Sequence, residues 1–318
     1  MVKFKRRCRD ITAAAAAVVA LTGFCASTVP AWAKNVAVTL TAKEVTLPID
    51  NNGTTYAAWT YNGTIPGPVV RVTQGDTVDF TLVNDPNNKM SHSIDFHAAR
   101  VDVLNEFAPI KPGETKKWSF KADYPGVFFY HCGSDPMIQH IARGMFGVII
   151  VDPKDPNALP KADREYVLIQ SELYSNPEDV KAMLADNWSH VMFNGGVFKY
   201  DPVHDPNATK TLQAKPGERV RIYYVNAGPN EFAAFHSIAG IWDAVYPSGN
   251  PANRLVGMQN YPVGPGDAAI FDLISPVEGA NAIVTHSMRS ALSGAIDVIM
   301  FSKDADPAAG HGDNILVR

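Results

Sequence analysis

The run Tyr130-His131-Cys132-Gly133-Ser134-Asp135-Pro136-Met137-Ile138-Gln139-His140-Ile141-Ala142-Arg143-Gly144-Met145 decides how the rest of the chain is read. It follows Gly126-Val127-Phe128-Phe129-Tyr130, whose aromatic and β-branched residues predict a buried strand. It leads into Phe146-Gly147-Val148-Ile149-Ile150-Val151, which predicts the next strand. A thiol, an imidazole and a thioether therefore share one strand–loop–strand unit at the spacing Cys-x7-His-x4-Met. Cys132 is a soft donor, His140 a borderline one and Met145 a weak, distant sulfur. One further imidazole completes the ligand set of an electron-transfer copper. His131 emerges on the opposite face of its strand from Cys132, because side chains alternate, and is free for a second metal. The competing reading is a buried cysteine, a gap-filling methionine and two unrelated histidines. Residues elsewhere in the chain weigh against it.

The nearest of these lie in His92-Ser93-Ile94-Asp95-Phe96-His97. On a strand, His92 faces one way, and Asp95 and His97 face the other. His92 can join Cys132, His140 and Met145 on the inner side. Asp95 and His97 then share the face on which His131 emerges. His190, His204 and His311 have no such context and read as surface residues.

Upstream, residues 1–33 read as an export signal. Lys3, Lys5, Arg6, Arg7 and Arg9 form a basic start, Ile11 to Phe24 an apolar run, and Ala31-Trp32-Ala33 a small-residue cleavage site. The apolar run is too short to span a membrane, so no membrane insertion is expected. Cleavage would remove Cys8 and Cys25, leaving Cys132 as the lone cysteine, with no disulfide possible within one chain. It would also turn 28 basic and 32 acidic residues into 23 and 31, a net charge of -8. An acidic chain without a basic run makes nucleic acid and anionic membrane poor partners. The expected location is the periplasm.

About 285 residues remain, enough for two domains. Short β-rich runs split by Gly, Pro, Asn and Asp predict an all-β sandwich architecture, with strands at Val36–Val45, Val69–Val72, Thr77–Val83, Thr115–Phe120 and Val127–Tyr130. Only Pro177–Asp186 reads as a helix in the second half. The expected layout is a first domain over 34–152, a linker over 153–163, a second domain over 164–303 and a C-terminal tail over 304–318.

The halves repeat one another. Asn62-Gly63 and Gln74–Asn84 answer Asn194-Gly195 and Lys215–Asn226, and Lys111-Pro112-Gly113 answers Gly264-Pro265-Gly266. By sequence, His92-Ser93-Ile94 pairs with His236-Ser237-Ile238, and Tyr130-His131-Cys132 with Thr285-His286-Ser287. On that pairing Ser287 stands where the thiol does, and the second half has lost its cysteine-bound metal.

With these motifs assembled, the chain resembles a copper-containing nitrite reductase built from two tandem cupredoxin-like Greek-key β-sandwich domains. The resemblance runs from Tyr61-Asn62-Gly63-Thr64-Ile65-Pro66-Gly67-Pro68 to the His286 region. It implies dissimilatory, one-electron reduction of nitrite to nitric oxide, as in denitrification, with two coppers per subunit. The type 1 copper would take His92, Cys132, His140 and Met145. The type 2 copper would take His97 and His131, with His286 from a neighbouring subunit, which implies a homotrimer. Asp95 and His236 match the family's proton-handling pair, and Ile238 matches the apolar residue beside the substrate. The implied electron donor is soluble, a small cupredoxin or a c-type cytochrome. Two features depart from the commoner members: a Cys132–His140 loop one residue shorter, and Gln139 where Trp is usual.

Two rival functions remain open at this point. A two-domain multicopper oxidase reducing dioxygen needs His-x-His pairs, yet Gly133, Met288 and Ile241 stand where second imidazoles would be required. A non-catalytic copper electron carrier needs no second site, and would leave His97, His131, His286 and Asp95 without a task.

Overall fold

The computed structural model describes residues 33–208, 210–310 and 315–317, so nearly all of the expected export segment lies outside it. The first half folds as β1 (Asn35–Pro48), β2 (Thr55–Tyr61), β3 (Val69–Thr73), β4 (Thr77–Asn84), β5 (Asp95–Phe96), β6 (Thr115–Lys121), β7 (Gly126–His131), helix α1 (Met137–Ala142) and β8 (Phe146–Asp152). The second half continues with β9 (Arg164–Leu173), α2 (Val180–Leu184), β10 (His190–Phe193), β11 (Leu212–Ala214), β12 (Arg219–Asn226), β13 (Ala233–Ser237) and β14 (Trp242–Pro247). It ends with β15 (Leu255–Met258), β16 (Asn260–Val263), β17 (Ala268–Ile274), β18 (Gly279–Thr285), α3 (Met288–Ala291), β19 (Ile296–Phe301) and β20 (Ile315–Val317).

These strands make two tandem Greek-key sandwiches of cupredoxin type, as the sequence led us to expect. Sheets β2-β1-β4-β6 and β20-β3-β8-β7-β5 form the first, and β10-β9-β12-β17-β14-β15 and β11-β19-β18-β13-β16 the second. β20 falls in the stretch expected to be a plain tail, and pairs in parallel with β3 of the first sandwich. Among the described residues no helix is long and apolar enough to cross a membrane.

β4 is half-buried and alternates strictly between buried and partly exposed residues, as a strand with one wet face must. β8 is buried on both faces because two cores meet across it. Its odd residues, Ile149 and Val151, enter the first sandwich's core with Tyr130, Cys132 and Met145. Its even residues, Phe146, Val148 and Ile150, pack with Phe129 against Ile169, Tyr223, Val225 and Ile270 of the second sandwich. The same parity on β7 sends Cys132 inward and leaves His131 on the side of Phe129. Burial of each hydrophobic face thus fixes the register that parts the thiol from its neighbouring imidazole.

Tyr130 lies opposite Gly147 in the β7–β8 ladder, and a Cβ at Gly147 would approach the tyrosine ring to 2.3 Å. That ring is held edge-on by Tyr61 and by a hydrogen bond from its hydroxyl to the Pro68 carbonyl. Gly147→Ala should therefore overpack this core and cost about 1–3 kcal/mol. The check is a lower apparent melting temperature at equal metal load; an unchanged one would mean that the ring yields freely.

The ladders also correct the internal repeat. His92 bridges Ile110, as Ala233 pairs with Val263. Asp95 pairs with His131, as His236 pairs with Val284. The amide of Asn84 donates to Met90 and Ile110, as that of Asn226 donates to Glu231 and Val263. The Ser93 N–H donates to the Cys132 thiol, as the Ala234 N–H donates to the Thr285 hydroxyl. The residues matching the four presumed ligands are therefore Ala233, Thr285, Ser290 and Ala295, the last two fixed by like backbone bonds from Met145 to His140 and from Ala295 to Ser290. Ser287 is not the counterpart of Cys132. His236 answers Asp95 rather than His92, and His286 answers Gly133. The shared His-Ser-Ile tripeptide misled by three residues, and an odd shift on a strand moves a side chain to the other face.

Candidate metal centres

The loop between β7 and β8 carries α1, a helix not expected from the sequence, and it places His140 directly against Cys132. The Cys132 sulfur lies 3.1 Å from His140 Nδ1 and 4.0 Å from His92 Nδ1, and the two nitrogens are 3.3 Å apart. All three residues are fully buried, and Met145 is buried in the same core. Burial raises the Cys132 thiol pKa. Burial, then the Arg143 guanidinium, pushes His92 down to about 4. Burial, followed by His92 and Arg143, pushes His140 down to about 3. Both imidazoles are thus neutral near pH 7, with lone pairs available.

A buried thiol against two neutral imidazoles has an obvious complement. His140 Nε2 is buried with no hydrogen-bond partner, so the ring is not held by its far side. The nitrogens that converge on sulfur are instead aimed at one small volume. Soft thiolate and imidazole donors suit copper, whose charge would offset the cost of ionising the thiol. The residues present fit that ion.

A second group, Asp95, His97 and His131, lies on the other face of β7, with ligand atoms all within 4.8 Å of one another. The His131 Nδ1–H donates to the Cys132 carbonyl at 3.0 Å, which leaves Nε2 as the bare nitrogen, 3.8 Å from an Asp95 oxygen. Burial, first among its causes, lowers the pKa of His131 as well. The His97 and His131 rings meet edge to face at 5.2 Å. This group too fits copper, with exposed His97 leaving it open to solvent.

His286 joins neither group within one chain. It sits exposed on the second sandwich, its ring 5.3 Å from that of His236, and its N–H bonds the Ala234 carbonyl. His236 donates from Nδ1 to the Gln259 carbonyl, which frees Nε2. Ile238, 47% exposed, lies close by on the same segment.

Several neighbours of the first group had no motif to announce them. Glu44, on β1, places a carboxylate oxygen 3.4 Å from His92 Nε2. Trp59, on β2, packs against both histidines, and Arg143 covers the tryptophan. Gln139 donates to the Pro177 carbonyl and to Glu178, tying the loop to the approach to α2.

The multicopper oxidase family pattern matches residues 42–156. A copper-containing nitrite reductase from Neisseria meningitidis is 37% identical over 262 residues, 79% of this chain and 65% of its own length. The match therefore spans slightly less than two thirds of that relative. Another from Alcaligenes xylosoxydans is 32% identical over 280 residues, 80% of this chain and 82% of its own. The solved copper nitrite reductase of Nitrosomonas europaea is 72% identical, covers 89% of this chain and 100% of its own, and aligns with a TM-score of 0.88. Likeness of that degree takes in both sandwiches, and this chain belongs to the copper-containing nitrite reductase family.

Proposed function

We propose that this chain reduces nitrite to nitric oxide and water, consuming one electron and two protons. The observation that carries the reading is the pair of metal-capable groups on opposite faces of β7, joined by the bond between Cys132 and His131. A carrier needs one such group, and an enzyme that must bring an electron to a substrate needs two. Copper, when bound, supplies a one-electron couple at the first group and a Lewis acid at the second. His92, Cys132, His140 and Met145 would hold the type 1 ion, and His97 and His131, with the partner subunit's His286, the type 2 ion.

The remaining roles fall to this chain's own side chains. The Asp95 side chain is 32% exposed and faces His131, so it can take protons from water and pass them to a bound anion. His236 offers Nε2 for the same task. By ladder register the two stand at equivalent positions of the two sandwiches, each on the less buried face of its strand. Ile238 supplies an apolar wall that crowds the substrate. Ile238, Ile241 and Met288, flanking His236 and His286 in sequence, are large, apolar and exposed, which is the composition of a surface that another subunit covers. A homotrimer with sites between subunits accounts for this. An N-terminal export signal over residues 1–33 would carry the enzyme to the periplasm, where a small cupredoxin or a c-type cytochrome would donate the electron.

Anaerobic nitrite with a reduced dye should yield one nitric oxide per electron consumed. Ammonia as the product, or no nitric oxide from fully loaded protein, would overturn the reading. Asp95→Asn keeps the size and removes the acid. It should keep both coppers and lower turnover by about 10²–10⁴, the usual worth of a positioned acid. Full turnover in that variant at full copper load would rule out the proton role.

A further inference from the structure

Two charged side chains stand close to the first metal group, Glu44 beside His92 and Arg143 over Trp59. Glu44 Oε1 accepts from the Lys89 and Met90 backbone N–H groups at 2.9 and 2.8 Å, which pins it 3.4 Å from His92 Nε2. With Nδ1 turned to the metal position, the Nε2–H of His92 points at this carboxylate. The Arg143 guanidinium lies 4.0 Å from the Trp59 ring centre, and that ring centre lies 4.5 Å from the centre of the His140 ring. Arg143 is 7% exposed and Trp59 4%, so little water screens the charge between them. Glu178, the ion-pair partner of Arg143 at 2.7 Å, is 69% exposed, and water weakens its opposing field.

We infer that Glu44 and Arg143 set the reduction potential of the type 1 copper by opposed fields, Glu44 lowering it through His92 and Arg143 raising it from its place over Trp59. The inference rests on the ligand reading proposed above. The oxidised site carries one more positive charge than the reduced site. A carboxylate on a ligand's far nitrogen makes that ligand a stronger donor and favours the oxidised form. A buried cation nearby favours the reduced form. Both residues are positioning groups that touch no substrate.

The test is the midpoint potential of the visible copper band, titrated spectroelectrochemically in copper-loaded protein. Arg143→Gln should lower the midpoint and Glu44→Gln should raise it, each by roughly tenfold in the one-electron equilibrium constant, about 59 mV. Arg143→Lys keeps the charge and should hold the midpoint near the parent value. Glu178→Gln, at an exposed position, should raise it by less. Coloured variants with unmoved midpoints, or with shifts of one sign for Arg143→Gln and Glu44→Gln, overturn the inference while leaving the ligand set standing. A parent protein loaded with copper yet without a visible band overturns the ligand set itself.

Discussion

Cys132→Ala is expected to erase the visible absorption of the copper-loaded protein and to abolish nitrite turnover driven by a protein donor. Copper at the group of Asp95, His97 and His131 should stay bound. The colour of a type 1 site requires a thiolate on copper, and among the described residues Cys132 is the only cysteine. Its sulfur faces two imidazole nitrogens, and among the described residues no other thiol or carboxylate joins that group. The second sandwich has carried out a comparable replacement, with Thr285 accepting the backbone hydrogen bond that Cys132 accepts in the first. That site has also lost both imidazole positions, to Ala233 and Ser290, so it offers no metal set at all. Cys132→Ala keeps its imidazoles and removes only the sulfur. Small reductants that reach exposed His97 directly should retain part of their turnover, which separates loss of the electron entry from loss of the catalytic ion. A variant that keeps the parent's colour would show the ligand assignment to be wrong.

His286→Ala should do the reverse. Type 2 copper and nitrite turnover are lost, and the type 1 colour remains. Removing an outer-shell group from a metal site typically weakens binding about 10–100-fold, and removing a direct ligand should cost at least that. The variant at the neighbouring His236 distinguishes the roles, because His236→Ala should keep the ion and lose turnover. His286 lies outside both metal groups of its own chain, so it can complete the second group only from another copy. Light scattering on the parent protein should therefore report three chains per particle. A fully active monomer would contradict a site shared between subunits.

Much of this was legible because metal chemistry constrains both residue type and spacing. Cys132, His140 and Met145 stand on one short loop, and strand parity alone separates His131 from Cys132. The structure brings together His92, Cys132 and His140, and separately Asp95, His97 and His131, on the faces that the alternation assigned. The repeat was misread because a tripeptide match ignores which backbone groups are bonded; only the ladders tie His236 to Asp95 and Thr285 to Cys132. Helix α1 has no sequence signal because Met137–Ala142 is too short to show a helical period, and its N-cap, Pro136, makes no side-chain cap hydrogen bond. Glu44, Trp59 and Arg143 could not be found by motif. Glu44 and Trp59 lie 96 and 81 residues before His140, and they reach the site only because β1 and β2 close over it.

The central claim is that one chain holds two coppers of different kinds, and the most direct test is copper content per chain together with the paramagnetic resonance spectrum of the oxidised protein. Two coppers per chain are predicted, one with a narrow hyperfine splitting from the thiolate-bound ion and one with a normal splitting from the imidazole-bound ion. One copper with the narrow pattern alone would make the chain a carrier, and four per chain, some of them silent through coupling, would make it an oxidase; either result contradicts the assignment of Cys132 and His131 to two separate ions.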